Sequence, residues 1–156
     1  MNNYIPFILI PFIGWGVRYN LRKKKAYTPL KRATLVIGLV CFFLTEMGRS
    51  FYRPYVYAHH IHDFFIADTL GNTFGTMTAI FMVITLAGSG THRDWKLVVL
   101  IIAGLVAYEC LNLTGRTRFD VNDVVMTLVF GCISCLIYVV LLRKYSGTST
   151  LLDNHS

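Results

Sequence analysis

Glu46, Arg49 and Arg53 in the stretch EMGRSFYR stand at positions i, i+3 and i+7, and Glu109, Asn112 and Arg116 in ECLNLTGR repeat that spacing. Residues so spaced share one face of a helix. A carboxylate and a guanidinium on one stripe can pair with each other, or can together grip a ligand that carries phosphate or carboxylate. After each set comes a loop and then an aspartate near the start of an apolar run. These are Asp68 in FFIADTLGNT and Asp123 in FDVNDVVMTL, each four residues after a Phe. Asn72 follows Asp68 by one turn, and Asp120 precedes Asp123 by three residues. Two carboxylates brought together share a proton and supply one acid and one base. Held apart, the same groups orient a polar ligand. Asp123 has a simpler alternative role, because an acidic residue at a helix start caps free amides and suits the positive end of the helix dipole. Asp68 lies deeper in its run, so capping explains it less well.

Other chemistry-bearing residues are sparser. His59, His60 and His62 precede Asp63 in one loop and are metal ligands by type, but no second cluster accompanies them. A wet interfacial loop is the plainer reading, and no cofactor is expected. Cys132 and Cys135 form a CxxC inside an apolar stretch, where thiolates are disfavoured; with Cys41 and Cys110 they read as small core residues. Asn112-Leu-Thr114 has the form of a glycosylation acceptor at the edge of an apolar run. The chain holds no phosphate-binding glycine loop, nucleophile elbow or HExxH.

The elements that must position these residues are set by composition. Of 156 residues 54% are hydrophobic and 15% charged, too apolar for a soluble domain of this length to bury. A bilayer core of about 30 Å takes roughly 20 apolar residues in a helix. Five stretches qualify, near residues 4–21, 34–52, 64–87, 96–114 and 122–142. The expected fold is therefore all-α: a polytopic membrane bundle of about five helices in a single domain, 1–145, with a short polar tail over 146–156. The first stretch has no basic residue before its apolar core and a basic cluster behind it, the reverse of a cleavable signal peptide. It reads as a retained helix, bent at Pro11.

Basic residues concentrate in cytoplasmic loops. Arg18, Arg22, Lys23, Lys24, Lys25, Lys31 and Arg32 cluster between the first two stretches, Arg93 and Lys96 lie in the third connection, and Arg143 and Lys144 begin the tail. Placing all of these inside puts eleven of the fifteen basic residues in the cytoplasm, with the amino terminus outside and the carboxy terminus inside. The net charge of +7 is then topology and attraction to anionic headgroups, not nucleic-acid binding. Six of the eight acidic residues fall on the outer half: Glu46, Asp63, Asp68, Glu109, Asp120 and Asp123. Arg49, Arg53, Arg116, Arg118, Asn72 and Asn112 join them. The two sets suggest a tandem repeat in which helices two and three resemble helices four and five, inserted in the same sense around a shared site. Gly71, Gly75 and Ala79 form a small-residue stripe that would admit another helix closely.

The stretch YECLNLTGRTRFDVNDVVMTLVFGCISCLIY resembles the carboxy-terminal signature of VanZ-like membrane proteins through Glu109, Asn112, Arg116, Phe119, Asp120, Asp123 and Gly131. Asn112 stands where the family more usually has Gln, and Thr127 where it has Asn; Asp68, Asn72 and Gly75 supply that Asp-x3-Asn-x2-Gly spacing in the first hairpin. The match covers about a quarter of the chain. It implies a role in the bacterial envelope, at the inner membrane, of the kind associated with teicoplanin-type glycopeptide resistance, without naming a reaction. The expected function is binding of a lipid headgroup or a lipid-linked, cell-wall-related ligand at the outer leaflet. The alternatives are an intramembrane aspartic hydrolase using Asp68 and Asp123, for which FFIAD also resembles a motif of lipoprotein signal peptidases, and a subunit of a homo-oligomer or larger membrane complex.

Overall fold

The computed structural model describes residues 4–64, 66–111 and 121–152, with side chains up to residue 145. All regular structure among them is helical. α1 (Ile5–Lys23), α2 (Pro29–Met47), α4 (Ile66–Ala87), α5 (Trp95–Leu111) and α6 (Val121–Leu152) are long, and a short α3 (Arg53–Ala58) continues α2. The helices start close to where the apolar runs do. α6 runs further than expected, into the 146–156 tail. Pro11 sits inside α1.

Local chemistry sets the boundaries. α1 ends in a left-handed residue, Lys25 (φ 53°), and the Ala26 N–H returns to the Leu21 carbonyl at 2.9 Å, a helix-closing bond across five residues. α2 opens with Thr28, whose side chain accepts from the Lys31 N–H at 3.2 Å, followed by Pro29 at the first helical position. The basic connection is thus only five residues, 24–28, because α2 begins one turn earlier than its apolar run.

α4 is the central helix. It packs on α2, α5 and α6, while α5 also packs on α6, α2 reaches α6, and α1 packs on α2. Ile80, Phe81 and Ile84 of α4 meet Val98 of α5, Tyr138 and Leu142 of α6 and Cys41 of α2 in the core. Between these apolar layers the helix faces are lined by hydroxyls. Thr34 and Thr45 of α2, Thr69, Thr73, Thr76 and Thr85 of α4, and Thr127 and Ser134 of α6 are all buried. Several of these hydroxyls bond a carbonyl on their own helix, as Thr73 does to Leu70 at 2.9 Å and Ser134 to Phe130 at 2.7 Å. Thr85 shares its proton between the Phe81 carbonyl, 2.7 Å away, and the Thr34 hydroxyl of α2, 2.8 Å away. Small hydroxyl residues let helix backbones approach without leaving a polar atom unpartnered.

The outside has the opposite chemistry. Ile8 and Phe12 of α1, Val36 and Val40 of α2, Leu100 of α5, and Leu136 and Val140 of α6 are exposed. Among the described residues two helices, Ile66–Ala87 and Val121–Tyr145, are long and apolar enough to cross a membrane. Only 22% of the apolar stretch of the second is buried among the described residues, so it is not an apolar helix sequestered in a core. α1 and α2 are apolar in the middle but carry basic residues at the ends that face each other.

Candidate functional site

The bundle has two polar ends. At one, α2 and α3 meet the start of α4. At the other, the start of α2 meets the end of α4, the start of α5 and the last turns of α6.

The first end is shaped by an irregularity in α2. Gly48–Tyr52 form a π-helical turn between α2 and α3. The wider turn holds one extra residue, which rotates the residues after it by about 100° relative to a regular helix. Glu46 and Arg53, seven apart, would otherwise share a stripe. Instead Glu46, buried, keeps Arg49 as its partner at 3.5 Å, and the exposed Arg49 head snorkels outward. Arg53 is turned to α4, where its Nη2 donates to Asp68 Oδ1 at 3.0 Å. The turn is tight against α4 at Gly48: a Cβ there would sit 3.0 Å from Leu70 Cδ1.

Tyr57 completes the group. Arg53 Nε donates to the Tyr57 hydroxyl at 3.1 Å, and that hydroxyl donates to Asp68 Oδ1 in a short bond. The Arg53 guanidinium also lies over the Tyr57 ring, 5.4 Å from its centroid. The bond to Tyr57 and the charge of Asp68 outweigh partial burial and hold Arg53 above its ordinary pKa, so it stays a cation. Asp68 and Tyr57 form part of the wall of a cavity of about 480 Å³, with His60, His62, Asp63 and Phe64. Arg53 stands behind that wall. Its role is to fix Tyr57 and Asp68.

One side of this open cavity is formed by a turn under strain. His60 (φ 51°) and Phe64 (φ 54°) both take the left-handed conformation that side chains rarely adopt. Asp63 ends the turn, and its Oδ2 accepts the Ala67 N–H at 2.7 Å, capping α4. Asp68 therefore lies in the first turn of α4, not deep in the helix as its place in the apolar run suggests. There it pairs with Arg53 and suits the positive end of the helix dipole.

The remaining expected residues divide clearly. Asp123 lies in the first turn of α6 and Glu109 in the last turns of α5, at the same end of the bundle as Asp68 and Glu46. Asn72 lies one turn beyond Asp68 and is half-buried. Asn112, Arg116 and Asp120 lie outside the described residues. His59 turns away, its Nδ1 2.9 Å from the Tyr55 carbonyl and its ring over that of Tyr55 at 4.3 Å. Among the described residues no three His, Cys, Asp or Glu side chains gather to hold a metal. Among the described residues nothing lies within 4 Å of a Cβ placed at Gly71 or Gly75, so no described helix approaches closely at that stripe. The close helix approaches are elsewhere, at Gly14, Gly38 and Gly131.

The second end holds an aspartate that its place in the sequence does not single out. Asp94 is 3% exposed and accepts four hydrogen bonds: from the Ser89 N–H (2.9 Å) and hydroxyl (2.7 Å), the Gly90 N–H (2.8 Å), and the Tyr138 hydroxyl of α6 (2.5 Å). Burial pushes the carboxyl up, but these donors outweigh it and hold it below its ordinary range. A signal is present in Thr91-His-Arg-Asp94, the pattern of a helix-capping box. Tyr57 gives less: a tyrosine four residues after Arg53 is recognisable only once Asp68 is known to face both.

No family model matches this chain, and neither a curated protein nor a solved structure does.

Proposed function

We propose that this chain is a multi-span membrane protein of the bacterial envelope, with its amino terminus outside, whose outward end binds the polar headgroup of a lipid or of a lipid-linked, cell-wall-related molecule. The membrane setting is supported by the exposed band of Leu, Val, Ile and Phe around a core in which apolar side chains alternate with buried hydroxyls. It is also supported by aromatic side chains at both margins of the apolar band. Tyr4, Tyr52, Tyr55 and Tyr57 are exposed at the Arg53 end, and Trp15, Tyr19 and Trp95 at the basic end. Tyr and Trp favour that depth of a bilayer, where ring and polar tip meet different solvents. Helices of 17 to 22 residues, such as α1, α2, α4 and α5, are about 26–33 Å long, close to the hydrocarbon thickness.

The contacts also support the tandem repeat. α4 and α6 touch at the centre, and each of α2 and α5 packs on its own partner and reaches the inner helix of the other pair. Two hairpins inserted in the same sense would pack in this way. The VanZ-like resemblance implies the same envelope setting.

The observation that carries the site is the Arg53–Tyr57–Asp68 cluster at the wall of the 480 Å³ cavity. Asp68 and Tyr57 can accept from hydroxyl or ammonium groups of a headgroup. The imidazoles of His60 and His62 on the same wall offer donors to its phosphate or carboxylate. Asp68 is already committed to a cation and a phenol, which suits a binding carboxylate better than one that shares a proton. The test is native mass spectrometry of the detergent-solubilised protein with phosphatidylethanolamine, phosphatidylglycerol and a polyprenyl-phosphate sugar. Asp68→Asn and Tyr57→Phe should each lower retention of one of the three by about tenfold, the worth of one charge-assisted hydrogen bond. Equal retention of all three by every variant would rule the site out.

A further inference from the structure

The basic end carries a cluster that the outward site does not use. α1 and α2 cross closely at Gly14, where a Cβ would lie 2.8 Å from Leu39 Cδ1. Towards their basic ends they flank a cleft of about 350 Å³. Trp15, Arg18, Tyr27 and Arg32 line it, and its wall continues along Val36 and Leu39 into the apolar band. The Tyr27 ring has the Arg18 guanidinium 5.8 Å from its centroid and that of Arg22 at 5.6 Å. Two like charges around one ring repel each other, and Arg32 adds a third on the opposite wall. Among the described residues no carboxylate pairs with them. The Glu46–Arg49 and Arg53–Asp68 pairs are at the other end, and Asp94 is filled by its own donors. The described fold thus holds three guanidiniums together, without an anionic side chain between them, at the mouth of an apolar groove.

We infer that the α1–α2 cleft binds an anionic phospholipid, with Arg18 and Arg32 on its phosphate and an acyl chain along Val36 and Leu39. A guanidinium fork matches phosphate oxygens in two parallel hydrogen bonds. Trp15 and Tyr27 line the cleft beside those guanidiniums, and amphipathic rings are stable in the interfacial region of a bilayer. The charge and the groove specify one occupant between them: a soluble anion would leave the apolar wall wet, and a neutral lipid would leave the guanidiniums uncompensated. The inference rests on the membrane setting proposed for the chain, and one experiment separates their failures.

The chain has two tryptophans, so Trp95→Phe leaves Trp15 as the sole indole reporter. That protein is reconstituted in phosphatidylcholine vesicles containing brominated phosphatidylglycerol or, separately, brominated phosphatidylcholine, and quenching of Trp15 is read. Brominated phosphatidylglycerol should compete for the site at least about fivefold better, given the attraction of each basic residue to anionic lipid. Arg18→Gln with Arg32→Gln should bring that ratio close to one, while Lys24→Gln with Lys25→Gln, which removes as much charge outside the cleft, should leave it unchanged. Val36→Asp serves as the second variant; it spoils the apolar wall and should lower the ratio even if the arginine variant does not fold. Equal quenching by both lipids overturns the cleft alone, as does equal loss from the lysine variant. No quenching by either lipid overturns the membrane setting with it.

Discussion

Asp68 and Asp94 are the same residue type at opposite ends of one bundle, and their surroundings differ in every respect that matters. Asp94 is sealed, and its four donors come from a tight loop and from α6. Nothing is left for a ligand, so its work is to tie the 88–94 loop to the last helix. Asp68 is part-exposed, holds one cation and one phenol through a single oxygen, and faces a cavity. Saturated carboxylates build folds; carboxylates with spare acceptor capacity beside open volume bind. The lowered pKa of Asp94 belongs to a structural carboxylate, so electrostatic perturbation alone does not mark a binding site.

The largest expected effect breaks the sealed end. Asp94→Ala leaves the Tyr138 hydroxyl and the Ser89 and Gly90 amides without an acceptor, and should cost about 3 kcal/mol or more. Thermal unfolding in detergent reads it, while headgroup retention at the Arg53 end should survive in the folded fraction. Tyr138→Phe removes one donor and keeps the ring, so its cost should be about 1–2 kcal/mol by the same measurement.

Acid sharpens the contrast. The Asp94 carboxyl is held below its ordinary range in the folded protein, so its contribution is present above the unfolded pKa and is lost as pH falls through the folded one. The melting temperature should drop as pH is lowered below about 4, near the unperturbed carboxylate value, and Asp94→Asn should flatten that drop. At the open end Arg53→Ala should change stability by less than about 1 kcal/mol, because both partners of the pair are more than a third exposed. It should nonetheless weaken headgroup retention, since Tyr57 and Asp68 lose what fixes them.

How far the sequence leads varies by element. The helices are legible because long apolar runs bounded by Thr-Pro, Gly and basic residues leave the chain few choices, as at Thr28-Pro29. All-helical architecture and the placing of Glu46, Asp68, Glu109 and Asp123 toward one end follow from that. The Glu46–Arg49 pair is legible as well, since i, i+3 spacing survives in a regular turn. The Arg53–Asp68 pair is not, because the π-helical turn at Gly48–Tyr52 shifts the register and no residue pattern there announces it. Gly71 and Gly75 mislead for a related reason: small residues permit close approach without requiring it. Asp94 is hidden among basic neighbours, whose charge stands out more than the capping pattern.

The proposed membrane setting puts the apolar band in a bilayer, with the Asp68 cavity on the outer face and the Tyr27 cleft on the inner. Single-cysteine variants at His60 and at Lys24, in a background where Cys41, Cys110, Cys132 and Cys135 are replaced by Ala, test it in intact bacteria with a membrane-impermeant maleimide. The cysteine at 60 should label from outside and the one at 24 only after the membrane is permeabilised. Labelling of both from outside, or of position 24 alone, would contradict the account.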